Sequence, residues 1–291
     1  MNVGVIGAGA WGTALGIVAA RGGNEVVLWS FDGLYKAFDD VDMPSNLRVT
    51  SDMTELRGAD AWLVVTPAAF FRETILRARD VYDAQPIIIC TKGAEPHTCA
   101  FMSEVLQDVL PECVDFGVLS GPQFAAEVAR GVPTGSTLAA MPVSRAVGHK
   151  ILNKLYLDDS EDIIGAEYCG VGKNAVALIC GYNSVAAAGE NERAMIFTRA
   201  WDEIVEIGRA SGANPETFLG LCGIGDLFLS ATSETSRNFS GGMSIARGEI
   251  PEGTVEGLSA LCGLITRANR KGIKTPVLEE MRDKMKLVVC D

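Results

Sequence analysis

The opening of this 291-residue chain constrains its fold more than any other stretch. Val3–Ile6 is a short, apolar run that empties directly into Gly7-Ala8-Gly9-Ala10-Trp11-Gly12. Thr13 to Arg21 continues with helical composition and stops at Gly22-Gly23. A G-x-G-x-x-G loop between a strand and a helix has a physical logic. Gly7 permits the tight turn, Gly9 lets backbone amides approach a pyrophosphate, and Gly12 allows close helix–strand contact. Gly7, Gly9, Ala10, Trp11 and Gly12 are therefore candidates for holding a dinucleotide. Val3 to Ala20 carries no charge, but it contains five glycines and no basic segment precedes it. That content fits a strand, a turn and a helix rather than a targeting segment or a membrane span.

The rest of the first half repeats the strand-then-helix rhythm. Val26–Trp29, Ala61–Val65, Ile87–Cys90, Phe116–Leu119 and Ser136–Ala140 are short and nearly continuous in apolar character. Strands of a parallel sheet buried on both faces read in this way. Two of them empty into polar turns, Thr66-Pro67 and Thr91-Lys92-Gly93, at the carboxyl ends where open α/β sheets place ligands. After about Ile164 strand signals nearly vanish. Val176, Cys180, Asn183 and Ala187 follow helical spacing, as do Phe197, Ala200, Ile204 and Ile207, with a stop at Ser211-Gly212. Asn214-Pro215-Glu216 is a helix start, and Val255, Leu258, Cys262 and Ile265 mark a helix closed by Lys271-Gly272. The fold class expected is α/β: an N-terminal Rossmann-like, mostly parallel sheet domain over residues 1–163, followed by an all-α C-terminal domain over residues 164–291.

Charge narrows the partners. Lys and Arg total 25 against 37 Asp and Glu, a net charge of −12. A field of that sign repels nucleic acid and anionic lipid. An anionic substrate would require the few cations to be gathered at one place. Eight cysteines, at 90, 99, 113, 169, 180, 222, 262 and 290, form no C-x-x-C pair, and the two histidines, His97 and His149, have no metal-ligand spacing. No structural metal is expected, and the scattered thiols suggest a cytoplasmic protein; no other uncharged run reaches the ~18 apolar residues of a membrane span, so none is expected.

The acidic residue that a dinucleotide loop calls for about 20 positions on falls at Asp32, in Trp29-Ser30-Phe31-Asp32. It reads equally as a ribose ligand and as a solvated loop carboxylate. No arginine stands at this strand end in the sequence to take a 2′-phosphate, which favours NAD over NADP. Gly170-Val171-Gly172-Lys173-Asn174 is not a phosphate loop, because that motif needs Gly at 167 and Ser or Thr at 174, where Glu and Asn stand.

Taken in order along nearly the whole chain, the residues resemble the NAD-dependent glycerol-3-phosphate dehydrogenase family. The matching segments are Gly7 through Leu15; Thr91-Lys92-Gly93; Leu119-Ser120-Gly121-Pro122-Gln123-Phe124-Ala125-Ala126-Glu127-Val128-Ala129; Glu167 to Asn174; Gly220-Leu221-Cys222-Gly223-Ile224-Gly225-Asp226; and Ser236-Arg237-Asn238. The resemblance implies reversible hydride transfer between NAD(H) and carbon 2 of sn-glycerol 3-phosphate or dihydroxyacetone phosphate. It implies Lys173 as the proton donor, Lys92 as a second active-site lysine near cofactor and substrate, and Asp226 as a polar catalytic and substrate-side position. Gly121, Gln123, Asn174, Ser236, Arg237 and Asn238 match substrate-side positions, with Arg237 and Asn238 as the phosphate clamp. Phe31, Phe70, Ala125, Glu256 and again Arg237 match cofactor-side positions.

The chemistry agrees with those roles. Reducing a ketone requires a proton at oxygen as hydride reaches carbon, and a positioned acid contributes ~10²–10⁴-fold. With two histidines in the chain, a lysine tuned by burial is the natural candidate. Arginine presents a planar fork to phosphate. Several departures from the family pattern stand out: Gln123 in place of a small serine, the Tyr168-Cys169 and Val171-Gly172 approach to Lys173, a shortened stretch from Asp32 to Leu47, and a short C-terminus. A trimmed loop would open the adenine end. Two further readings are a related two-domain dehydrogenase for another hydroxy acid or hydroxy phosphate, and a cofactor-binding protein without turnover. Lys92, Lys173, Asp226 and Arg237 together argue against the last. A homodimer fits a helical second domain with an apolar face.

Overall fold

The computed structural model describes residues 1–286; Cys290 and the extreme C-terminus lie outside them. The first half alternates β1 (Asn2–Ile6), α1 (Ala10–Arg21), β2 (Glu25–Trp29), β3 (Leu47–Thr50), β4 (Ala61–Val64), α2 (Ala68–Ala78) and β5 (Ile87–Ile89). It continues with α3 (Met102–Val109), β6 (Phe116–Ser120), α4 (Ala125–Arg130), β7 (Gly135–Ala140), α5 (Pro142–Ile151) and β8 (Tyr156–Ser160). The helices that follow are α6 (Ile163–Ala186), α7 (Glu190–Ala210), α8 (Asp226–Ala231), α9 (Arg237–Ala246), α10 (Glu256–Arg270) and α11 (Pro276–Lys284).

The eight strands form one sheet in the order β3-β2-β1-β4-β5-β6-β7-β8, and β6–β7 is its antiparallel pair. Six strands match the apolar runs of the sequence. The other two, β3 and β8, are the sheet's edges. Leu47-Arg48-Val49-Thr50 and Tyr156-Leu157-Asp158-Asp159-Ser160 are only partly buried, so neither needs a continuous apolar run. Helix α1 starts at Ala10, three residues before the sequence suggests, because the glycine loop itself begins the helix. It is buried at nearly every position, with Leu15, Ile17 and Val18 joining Val5, Leu28, Leu63 and Leu138 of the sheet and Val128 of α4 in one core.

The chain divides into two compact units, Met1–Lys92 with Met102–Ile163, and Gly93–Phe101 with the chain from Ile164 onward. It therefore changes unit at Lys92, Phe101 and Ile163, not at Ile163 alone. Gly93–Phe101 is fastened to the second unit by Arg267. That guanidinium donates to the Cys99 carbonyl at 2.9 Å and stacks 3.9 Å from the centre of the Phe101 ring. Phe101 in turn meets Tyr168 edge-on at 4.7 Å.

Helix α6 is long and apolar enough to cross a membrane by length and composition, yet 78% of its most apolar window is buried inside the protein. It is the core helix of the second unit. Two glycines bring α9 against it. A Cβ on Gly181 would lie 1.9 Å from the Phe239 carbonyl oxygen, and one on Gly242 would lie 2.1 Å from that of Leu178. Only hydrogen at these positions permits the backbone approach. Helix α11 is anchored by Glu203 of α7, whose carboxylate accepts the Val277 and Leu278 amides at 2.8 and 3.0 Å.

Candidate active site

In the first unit the glycine loop has the geometry of an anion cradle. Gly7 has φ +114° and its amide donates to the Trp29 carbonyl. A Cβ on Gly12 would stand 1.8 Å from the Gly7 carbonyl oxygen, so this position holds α1 against the turn. Gly9, by contrast, faces open space. It is the N-terminal cap of α1, no side chain caps the helix there, and the first turn carries no acidic residue. The free first-turn amides and the positive end of the helix dipole are left for an anion. These residues fit the pyrophosphate of a dinucleotide. Trp11 packs on the sheet core.

The segment after β2 is not an open stub. The Lys36 amide donates to the Ala8 carbonyl at 2.9 Å, Phe38, Val41 and Met43 pack on the core, and Asp40 pairs with Arg130 of α4 at 2.5 Å. The short segment is tied back to the glycine loop and to α4. Asp32 accepts the Leu34 amide at 3.0 Å and the Ser30 hydroxyl at 3.3 Å, which holds its carboxylate in its own turn. Phe31 is 73% exposed, and so, at 59%, is Phe70 on α2. The sequence has no arginine beside Phe31, but the fold brings one: Arg77 of α2 lies 5.0 Å from the centre of the Phe31 ring. Neighbourhood along the chain missed it because the contact is made between β2's end and the last turn of a different helix.

At the end of β5, Lys92 Nζ donates to the Gly121 carbonyl at 3.0 Å, and Thr91 Oγ1 donates to the Thr66 carbonyl at 2.7 Å. The Lys92 contact ties two of the family-like segments together. Gln123 carries a buried side-chain oxygen and nitrogen that both lack a protein partner, as does the Ser120 hydroxyl. A polar group in this position is costly unless something completes it. Ala125 begins α4.

In the second unit Lys173 stands in the middle of α6, not at a helix start. Its Nζ lies 3.3 Å from Asp226 Oδ1 and 3.1 Å from Ser230 Oγ, and Ser230 Oγ lies 3.3 Å from the same carboxylate oxygen. Lys173 is 13% exposed at the side chain and Asp226 1%. A carboxylate so buried requires a charged partner, and it holds the ammonium in one place. The segment before Asp226, Leu221–Gly225, is a π-type turn with Gly223 at φ −91°, ψ −107°. Ser230 escaped the sequence reading; its signal was the i,i+4 spacing from Asp226 on a helix.

Asn174, one residue on, belongs to a second network. It donates to Glu256 Oε2 at 3.1 Å and accepts from Asn238 Nδ2 at 2.9 Å, while Asn238 Oδ1 accepts the Gly257 amide at 2.8 Å. Two asparagines read as substrate groups thus also lock α6, α9 and α10 together. Ser236 caps α9 through the Phe239 amide. Arg237 follows it at the first helical position, exposed, with no side-chain hydrogen bond or ion pair among the described residues.

Comparison with known proteins matches the chain along its length. The family model described as the NAD-dependent glycerol-3-phosphate dehydrogenase N-terminus matches residues 2–146, and its C-terminal counterpart matches residues 162–285. The glycerol-3-phosphate dehydrogenase [NAD(P)+] of Afipia carboxidovorans is 41% identical over 293 residues, covering 96% of this chain and 90% of its own. That of Parvibaculum lavamentivorans is 37% identical over 303 residues, covering 96% and 90%. Among solved structures, the glycerol-3-phosphate dehydrogenase of Coxiella burnetii is similar at a TM-score of 0.89 and 29% identity, covering 99% of this chain and 96% of that one.

Proposed function

The chain belongs to the NAD-dependent glycerol-3-phosphate dehydrogenase family, and from that premise we propose that Lys173 moves the proton of its reaction while Arg237 and Asn238 hold the substrate phosphate. The activity is NAD-linked oxidoreduction between sn-glycerol 3-phosphate and dihydroxyacetone phosphate. One observation carries the assignment of the proton donor: Lys173 Nζ is fixed by the buried Asp226 carboxylate and the Ser230 hydroxyl.

When bound, the nicotinamide supplies or accepts the hydride at carbon 2. In the direction of ketone reduction, Lys173 Nζ donates a hydrogen bond and then its proton to the carbonyl oxygen; in the reverse direction it takes the hydroxyl proton. Asp226 and Ser230 keep Nζ oriented throughout. Arg237, whose guanidinium carries no protein partner among the described residues, offers its fork to the phosphate dianion. Lys92 and Gln123 fit substrate-side roles. The donor that Lys92 makes to Gly121 orders that segment, and the unpartnered amide of Gln123 is left for a polar ligand. The glycine loop, with Phe31, Phe70 and Ala125, supports the cofactor reading. We infer a cytoplasmic setting, in keeping with thiols scattered through the chain. Exposed Leu219, Phe228 and Ile250 support a homodimer.

The test is initial rates with dihydroxyacetone phosphate and NADH. Wild type consumes NADH; Arg237→Gln raises KM for dihydroxyacetone phosphate about tenfold or more, as expected for a lost charged hydrogen bond. No NADH consumption by wild type overturns the substrate reading, and an unchanged KM overturns the phosphate clamp.

A further inference from the structure

A dinucleotide held at the glycine loop spreads its halves over the carboxyl ends of the sheet, its adenosine toward β2 and its nicotinamide away from it. On that second side the strands run β1-β4-β5-β6. The turns at their ends adjoin one another. A Cβ on Gly7 would stand 2.9 Å from the Thr66 amide nitrogen, Thr91 Oγ1 donates to the Thr66 carbonyl at 2.7 Å, and Lys92 Nζ donates to the Gly121 carbonyl at 3.0 Å. Two buried polar groups along this row have no partner among the described residues: the Thr66 hydroxyl after β4 and the Gln123 amide after β6. In Gln123 both Oε1 and Nε2 are enclosed and unpaired, while the residue as a whole is only half-buried. Rotation about its own side-chain bonds frees the amide, and an unpaired buried amide gains by that rotation.

We propose that the Gln123 side chain pairs with the carboxamide of the nicotinamide, and so is a group that orients the ring; this rests on the dinucleotide reading of the glycine loop. A primary amide has an acceptor oxygen beside a donor nitrogen, and a carboxamide has the same pair. Two such groups close on each other through paired N–H···O bonds, which satisfies both orphaned atoms of Gln123 at once. The resemblance sets Gln123 on the substrate side. In the reaction, however, the carbonyl oxygen of dihydroxyacetone phosphate is taken by Lys173 and its phosphate by Arg237, which leaves it no adjoining donor and acceptor for an amide. A glutamine in place of a small serine also supplies the reach and the second polar atom that this pairing needs. A ring anchored through its carboxamide no longer turns about its bond to the ribose, so it holds one face toward the reacting carbon.

Calorimetric titration of the full chain, without substrate, compares NADH with reduced 3-acetylpyridine adenine dinucleotide, in which a methyl group replaces the carboxamide nitrogen. Wild type binds NADH about tenfold or more tightly than the analogue, since the analogue leaves Gln123 Oε1 without a donor. In Gln123→Met, which keeps the length and removes the amide, NADH weakens toward the analogue and the discrimination disappears. Gln123→Ser loses it as well, because one hydroxyl cannot replace both arms. In the ligand-free protein Gln123→Met leaves the melting temperature unchanged or raises it, whereas a merely structural role for the amide lowers it. The inference is overturned if wild type binds the two dinucleotides alike, or if Gln123→Met keeps the preference. A raised KM for dihydroxyacetone phosphate in that variant then returns Gln123 to the substrate side. A lowered melting temperature also overturns it, since the amide then has a partner within the fold. If wild type binds neither dinucleotide, the cofactor reading of the glycine loop falls and takes this inference with it.

Discussion

Lys173 Nζ and Asp226 Oδ1 lie 3.3 Å apart, with the Ser230 hydroxyl within reach of both, and the carboxylate is almost wholly buried. The pair is at once chemistry and structure. Lys173→Met should lower kcat by ~10²–10⁴, the range of a lost general acid. It should also destabilise the chain by about 3–5 kcal/mol, because Asp226 is left buried without its cation. The double variant Lys173→Met with Asp226→Leu should regain much of that stability and none of the activity. Urea midpoints and kcat measured on the two variants decide it. A single variant as stable as wild type would show that Asp226 does not depend on Lys173.

The glycine loop permits a separation of fold from binding. Gly9 faces open space at φ −66°, which any residue adopts, whereas a Cβ at Gly12 would collide with the Gly7 carbonyl. Gly9→Ala should therefore fold with stability within ~0.5 kcal/mol of wild type, as a surface substitution does, and bind NADH more weakly. Gly12→Ala should lose stability by more than ~1 kcal/mol, since backbone must move to admit the methyl. Thermal unfolding and NADH fluorescence titration read the two effects. Equal destabilisation by both would contradict the open space above Gly9.

The fold was legible where burial is two-sided. Val3–Ile6, Ala61–Val65 and Ile87–Cys90 must be apolar throughout because helices cover both faces of the sheet, and each is a strand. Edge strands carry no such demand, so β3 and β8 were silent. The site shows the same division. Gly7, Gly9 and Gly12 are adjacent in sequence and their roles follow from local geometry. Lys173, Asp226 and Ser230 come from α6 and α8, and only the packing of those helices unites them. Arg77 is the sharpest case, since nothing near Phe31 in sequence announces it. Asn174 and Asn238 show the converse: residues read as ligand groups also serve as ties between helices.

Glu203 gives the chain a pH dependence away from the reaction. Burial pushes its carboxyl above the usual glutamate range, and the nearby Glu279 and Glu206 add to the shift, while the Leu278 and Val277 amides it accepts pull it back. A carboxyl with a raised folded-state pKa binds its proton more tightly when folded than when unfolded. Its contribution to stability is therefore fully present below the unfolded value of about 4.5 and is lost as pH rises through the folded value. Glu203→Gln removes the titration but leaves an oxygen to accept one amide of α11. The melting temperature of wild type relative to Glu203→Gln should rise as pH falls from 7 toward 4.5, the reverse of what an ordinary surface ion pair gives. Thermal unfolding of both proteins across that interval measures it. A difference that stays flat, or that shrinks on acidification, would show that Glu203 keeps an ordinary carboxylate's affinity for its proton.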